Sequence, residues 1–219
     1  MKTKTWKHYN DFRVLLVYPN IQMSALMPQS IGMFTAILKQ EGFTIDIFDC
    51  TFYEDSLAID AHKEKLDHKQ VLDFNWAERG VESKLGMTSD FKKKVDSFKP
   101  DLIAMSVLES TYFVALRLLE SVRNEKKNFD VLMGGVFGTY GADKIIKQDL
   151  VDYVCRGEGD EAMLDFCKRL ANGKPIEDTP NFWVKKNGQL YKNNMRSPVD
   201  INLLPFPDWD LFEPEAIYR

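Results

Sequence analysis

Cysteine and histidine are scarce in this 219-residue chain, with 3 of each. Cys50, Cys155 and Cys167 stand too far apart for a disulfide framework or a zinc knuckle, both of which need closely spaced pairs. They read as reduced core thiols. His8, His62 and His68 lie in polar stretches, the last two in a charged segment, so no metal site is expected from this inventory. No apolar run approaches the ~20 residues of a membrane helix. Met1 to Asp11 lacks the apolar centre of a secretory signal. There is no basic excess either: 29 Lys and Arg stand against 33 Asp and Glu, for a net charge of −4. A general nucleic-acid binder is normally basic. Neither nucleic acid nor membrane is therefore expected as a partner, and a cytoplasmic location is the default expectation.

What is present is enough to build a core, with 44% hydrophobic and 12% aromatic residues. A chain of this length is one domain, or one domain with a small appendage. Short apolar runs alternate with helix-length amphipathic runs. The run Arg13 to Tyr18 is continuous rather than alternating, as a strand buried on both faces should be. A helix is predicted from Ser30 to Gln40, with Gly42 as its C-terminal stop. Further strands are predicted at Phe43–Phe48, Leu102–Ser106, Phe129–Met133 and Val151–Cys155. Helices are predicted over Ser110–Glu125, Gly138–Gln148 and from Gly159 to Ala171. Strands separated by helices imply parallel pairing through crossovers. The expected fold is α/β: a doubly wound, flavodoxin-like, Rossmann-type five-stranded parallel sheet in the order 2-1-3-4-5. Ligands of such sheets bind at the carboxyl edge near the switch point.

Residues 54–98 break this rhythm and read as a helical insertion on the sheet edge, with Leu66, Val71, Phe74 and Trp76 as core contacts. From residue 173 the composition changes. Phe182–Lys186 and Gln189–Asn193 flank Asn187-Gly188, the favoured two-residue hairpin turn. Leu204–Phe212, rich in proline and aromatics, reads as an extended linker leaving the domain. The division expected is therefore 1–172 for the Rossmann-like domain and 173–219 for the hairpin and linker.

Loops 20–29, 106–111, 134–139 and 156–161 converge at the predicted carboxyl edge. Gly134-Gly135 lets the backbone approach a bulky ligand or adopt positive φ. Ser106, Ser110 and Thr111 add hydroxyls, although Ser110 equally suits a helix cap. Glu158, Asp160 and Glu161 are candidate acid/base groups, but carboxylates at a helix start are also what the helix dipole favours. The loop after the first strand lacks G-x-G-x-x-G. The chain has no P-loop and no G-x-S-x-G elbow, which disfavours dinucleotide, nucleoside triphosphate and serine-hydrolase chemistry.

Val14–Asn20, Pro28–Met33, Lys99–Ser106, Leu132–Thr139, Val151–Asp160 and Leu204–Asp208 stand in this order. Together these segments resemble the N-terminal cobalamin-binding domain of the cobalamin-dependent radical S-adenosylmethionine enzymes, over residues 12–212. The resemblance implies that the corrin ring sits on the carboxyl edge, with the nucleotide tail passing among the last loops. A wide apolar macrocycle with an amide rim suits an apolar floor and many backbone partners. Met23, Leu26, Met27, Val107, Leu108, Val136 and Phe137 are floor candidates. The cofactor-binding residues it implies are Asn20, Ser106, Leu108, Glu109, Ser110, Thr111, Gly134, Gly135, Val136, Phe137, Thr139, Gly157, Glu158 and Gly159. No catalytic residue and no metal ligand is assigned to this chain.

Two departures shape the expectation. Carrier-type cobalamin modules hold cobalt with a histidine in Asp-x-His-x-x-Gly, and no histidine lies between His8 and His62. Base-off binding without a protein imidazole is therefore expected. The cluster motif C-x-x-x-C-x-x-C is also absent, so the 4Fe-4S cluster and S-adenosylmethionine are expected only in a C-terminal radical domain of the same parent chain. The parent would be a methyltransferase or cyclase, and this chain would be an excised piece whose Phe206, Trp209 and Phe212 await a partner. A stand-alone cobalamin carrier, a flavin mononucleotide module and a receiver domain are the alternatives. A receiver's acidic pair, aspartate and lysine are replaced by Tyr18-Pro19-Asn20, Ser106 and Arg156.

Overall fold

The computed structural model describes residues 8–21, 28–54, 66–70, 78 and 82–212. Strand β1 (Arg13–Tyr18) buries Val14, Leu15, Leu16 and Val17 completely, the burial expected of a continuous apolar run covered on both sides. It pairs in parallel with β2 (Thr44–Asp49) on one side and β3 (Leu102–Ser106) on the other. Strands β4 (Asp130–Gly134) and β5 (Tyr153–Cys155) continue in parallel. The order 2-1-3-4-5 is thus present, but the sheet does not stop at five strands. Among the described residues it has 7, because β6 (Phe182–Lys186) pairs antiparallel with β5 and β7 (Gln189–Lys192) pairs antiparallel with β6. The hairpin continues the sheet: Cys155 faces Phe182 and Tyr153 faces Val184.

Helices cover both faces. On one face α1 (Gln29–Gln40) packs with the late helix Asp160–Ala171 over Val14, Leu16, Ala104 and Leu132. On the other, α2 (Met87–Phe98) and α3 (Tyr112–Ser121) pack over Leu15, Val17, Ile103 and Met105. The alternating ownership of strand residues by two clusters is the period-2 consequence of the pleat.

The range assigned to an insertion needs correction. Residues 87–98 form α2, the crossover that carries the chain from β2 to β3. Met87, Phe91 and Val95 recur every fourth residue and are 6%, 0% and 4% exposed. Lys99 closes the helix in the left-handed region at φ 53, with Pro100 next to prevent continuation. Lys84 pairs with Tyr53 and exchanges backbone bonds with Phe52 and Glu54, so the excursion between them starts and ends at one place. Val71, Phe74 and Trp76 lie outside the described residues.

Two helical ranges also shift. Helix α3 begins at Tyr112 rather than Ser110, because the Thr111 hydroxyl accepts from the Leu108 N–H and holds a turn ahead of it. In place of one helix over 138–148 there are two short ones that begin earlier and end sooner, α4 (Gly135–Tyr140) and α5 (Ala142–Ile145). They break at Gly141, where a Cβ would come within 2.6 Å of the Phe137 ring. Helix α6 is Asp160–Ala171.

The proline-rich exit folds back rather than leaving. The Asp208 N–H donates to the Gly32 carbonyl at 2.9 Å, and Lys39 pairs with Asp208 at 2.7 Å. The Trp209 ring occupies the space a Gly32 Cβ would need, and Phe212 is 4% exposed. Only Phe206 of the three aromatics stands free, at 93% exposure. Trp209→Ala is expected to cost about 2 kcal/mol, less than a full core truncation because the ring is only half-buried. Limited proteolysis should then cut faster between residues 193 and 212, with sheet cleavage unchanged.

Candidate ligand-binding site

The chain turns from β1 to either side at β2 and β3, so the carboxyl ends of β1 and β3 flank the switch point. A cleft of about 410 Å³ opens there and runs down the face shared by α1 and α6. Its deep wall is made by mid-strand Leu16, Ala104 and Leu132; α1 contributes Ile31 and Phe34, and α6 contributes Met163. Ala104 lies between Ile103 and Met105 in β3, and its small side chain leaves room in that wall.

Glycines let the rim close in. Gly135 has φ +82, and a Cβ there would stand 2.8 Å from both the backbone N and O of Val107. That crowding accompanies two backbone bonds that lace the loops together: Val107 N–H to Gly134 O, and Phe137 N–H to Val107 O. A Cβ on Gly138 would lie 2.7 Å from the Cys155 carbonyl, and one on Gly159 would lie 2.7 Å from the Phe34 ring. Only glycine permits the approaches to backbone at Gly135 and Gly138, whereas at Gly159 the Phe34 ring would have to shift. Thr139 joins the next loop by accepting from the Gly157 N–H at 2.9 Å. Asn181, at 1% exposure, donates to the carbonyls of Arg156 and Glu158 and accepts from the Arg196 N–H and Nε.

The polar lining is sparse and, among the described residues, carries no positive charge: no lysine, arginine or histidine of these lines the cleft. It consists of Tyr18, Ser30, Ser106, Thr139, Cys155 and Asp160. Burial, with the nearby Asp49 charge, raises the Tyr18 pKa. Burial pushes the Cys155 thiol up to about 12, so it is an inert thiol wall rather than a nucleophile. Burial raises the Asp160 pKa, the hydrogen bond from its own backbone N–H opposes that rise, and the like charges of Glu158 and Glu161 add to it. All three cysteines are free and buried, as the composition suggested.

Of the residues singled out from sequence, Ser106, Leu108, Gly134, Gly135, Val136, Thr139, Gly157 and Gly159 line this one cleft. Leu108 and Val136 are 43% and 60% exposed, an open apolar edge. The others lie around it. Asn20 is buried, donating to Thr51 and tying the end of β1 to β2. Glu109 and Ser110 are exposed, and Thr111 is buried as the turn holder. Val107 is fully buried, and Phe137 packs on Tyr112 on the opposite face of the sheet. Glu158 accepts from the Val199 N–H. Met23, Leu26 and Met27 fall outside the described residues. Asp160, singled out as a candidate acid/base group, also lines the cleft from the start of α6, but the apolar walls from α1 and α6 were not singled out from sequence, nor were Tyr18 and Cys155. The available signal was Ala104, a small residue inside a strand of large ones.

An apolar-walled cleft at the carboxyl edge of a mostly parallel α/β sheet defines a class: a Rossmann-like module with room for a ligand at that edge. The B12 binding domain family model matches residues 25–166, and the chain belongs to that family. The anaerobic magnesium-protoporphyrin IX monomethyl ester cyclase of Rubrivivax gelatinosus is 21% identical over 214 residues, 93% of this chain and 33% of that protein. Among solved structures, the cobalamin-dependent S-adenosylmethionine radical enzyme OxsB, with aqua-cobalamin and S-adenosylmethionine bound, superposes with a TM-score of 0.64 at 16% identity. It covers 91% of this chain and 24% of OxsB. The radical S-adenosylmethionine methyltransferase TsrM from Kitasatospora setae, with cobalamin and a [4Fe-4S] cluster bound, gives 0.57 at 17% identity, covering 89% of this chain and 31% of TsrM. At these identities the superpositions show a shared fold. The resemblance drawn from the sequence motifs stands, and the chain spans a third or less of the length of these relatives. No helix among the described residues is long and apolar enough to cross a membrane.

Proposed function

We propose that the chain is the cobalamin-holding domain of a radical S-adenosylmethionine enzyme of methyltransferase or cyclase type. The observation that carries the reading is the cleft: apolar-walled, lined by no cationic side chain among the described residues, and open at the carboxyl edge beside Gly135, in a chain of the B12 binding domain family. The residues fit the group. Leu108 and Val136 offer an exposed apolar edge to a corrin face, and the laced loops offer backbone and hydroxyl partners to its amide rim. The cleft beneath suits the nucleotide tail. Ser106, Leu108, Gly134, Gly135, Val136, Thr139, Gly157 and Gly159 are the proposed contacts. Asn20, Thr111, Phe137 and Glu158 hold the loops that carry them, and Glu109 and Ser110 stand exposed beside them.

When bound, the cofactor supplies the cobalt chemistry, and this chain's residues bind and orient it. The cluster and S-adenosylmethionine are proposed to belong to the remainder of the parent chain. Because no histidine among the described residues lines the cleft, and none occurs between His8 and His62, we read the binding as base-off without a protein imidazole.

The test is retention and spectroscopy. Protein incubated with hydroxocobalamin and desalted should keep the cofactor, while flavin mononucleotide washes through. Reduced to the Co(II) state, it should give an electron paramagnetic resonance spectrum without nitrogen superhyperfine splitting on the axial lines. Loss of cobalamin on desalting would overturn the reading. A nitrogen-split spectrum would overturn its base-off part alone.

A further inference from the structure

We infer that Asp160 reads the ribose of the bound corrinoid's nucleotide arm, its carboxylate accepting a hydrogen bond from a sugar hydroxyl. The inference rests on the cobalamin reading and names a residue for it.

The cleft has two chemistries. Its depth is apolar, lined by Leu16, Ala104, Leu132 and Met163, and suits an aromatic base. Asp160, at the first position of α6, is half-buried and is, among the described residues, the one carboxylate lining the cleft. Among the described residues no lysine or arginine pairs with it, although Lys39, Lys168 and Arg169 on the same pair of helices all have carboxylate partners. The carboxylate already accepts from its own backbone N–H, but with lone pairs to spare and no cationic partner among the described residues it gains from a further O–H or N–H donor that enters the cleft. An anionic group would not satisfy it. The start of α6 would ordinarily attract a phosphate. Here Glu158, Asp160 and Glu161 crowd that end with negative charge. The part of the arm that meets Asp160 must therefore present hydrogen-bond donors and cannot be the arm's phosphate. A ribose hydroxyl meets that need, and a carboxylate is a natural acceptor for a sugar hydroxyl beside a strand-to-helix turn. A carboxylate that served only the helix dipole would have no reason to discriminate between ligands.

The experiment compares cobalamin with cobinamide, which has the same ring but lacks the ribose and the base. Dissociation constants for both are measured by absorbance titration on the wild type, Asp160→Ala and Asp160→Asn. Asp160→Ala should weaken cobalamin about 10- to 100-fold, the loss of a hydrogen bond to a charged group, and leave cobinamide unchanged. Asp160→Asn keeps an acceptor oxygen and should fall between wild type and alanine. Equal weakening of both ligands, or of neither, overturns the inference while leaving the cobalamin reading intact. A wild type that holds no cobalamin overturns that reading, and this one with it.

Discussion

Gly135→Val is expected to abolish cobalamin retention and to lower stability by about 3 kcal/mol or more. Two effects add. Gly135 sits at φ +82, where a β-branched residue is strained by about 1–3 kcal/mol. The new side chain would also drive into the backbone N and O of Val107, each 2.8 Å from the Cβ position, and into the Ser106 Oγ at 3.0 Å. The two Val107 contacts are backbone and cannot rotate away. Relief requires the loop after β3 to part from the loop after β4, which breaks the Val107–Gly134 and Phe137–Val107 bonds. The rim of the cleft opens and its partners disperse. Gly42→Ala is the control. It shares a positive φ, at +87, but a Cβ there meets nothing within 4 Å. It should cost about 1 kcal/mol of strain and leave binding untouched. Urea denaturation and cobalt-band absorbance after desalting read the two effects separately. Full cobalamin retention by a folded Gly135→Val protein would remove this loop from the site.

Asn181→Ala should be nearly as damaging, at about 3 kcal/mol, although the residue touches no cleft surface. Its amide donates to the carbonyls of Arg156 at 2.7 Å and Glu158 at 3.2 Å, and its oxygen accepts from the Arg196 N–H at 3.0 Å. Truncation leaves these buried groups without their partner, at about 1–3 kcal/mol for such a loss. It also places alanine at φ 76, a conformation asparagine tolerates better. The turn Gly157–Gly159 is held from behind by this side chain, so cobalamin affinity should fall with stability. Asn181→Asp is informative beside it. It keeps the acceptor for Arg196 but replaces the donor with an oxygen facing two carbonyls, and it should be at least as destabilising as alanine. Thermal unfolding of both variants, with a cobalamin titration at a temperature where each is folded, provides the measurement.

The parallel sheet could be read from sequence because its signals are local. Val14–Val17 and Leu102–Met105 are unbroken apolar runs, each closed by turn residues, and right-handed crossovers leave few orders for such strands. The hairpin could be read from Asn187-Gly188, which take φ 52 and φ 77 as the primed turn requires. What could not be read is where that hairpin pairs. The bonds joining Cys155 to Phe182 are long-range, and nothing in either segment's periodicity names the other. Helix α2 was absorbed into its charged surroundings because Met87, Phe91 and Val95 stand among lysines, and a narrow stripe is a weak signal. Helix α4 was expected three residues late because Gly-Gly reads as loop, whereas Gly135 here is the first helical residue. The rim glycines of the site were visible as glycines. The walls from α1 and α6 were not, because they depend on which strand face those helices cover.

The back-folded segment has a kinetic consequence. It bonds to the turn after β5 through Asn181 and through Val199 on Glu158. It also clasps α6 through Arg196 on Asp165, and α1 through Asp208 and Trp209. One strip of chain therefore spans both helices that wall the cleft, and fraying it loosens both together. The residence time of an occupant between them is then governed by the opening frequency of that strip as well as by how well the walls grip.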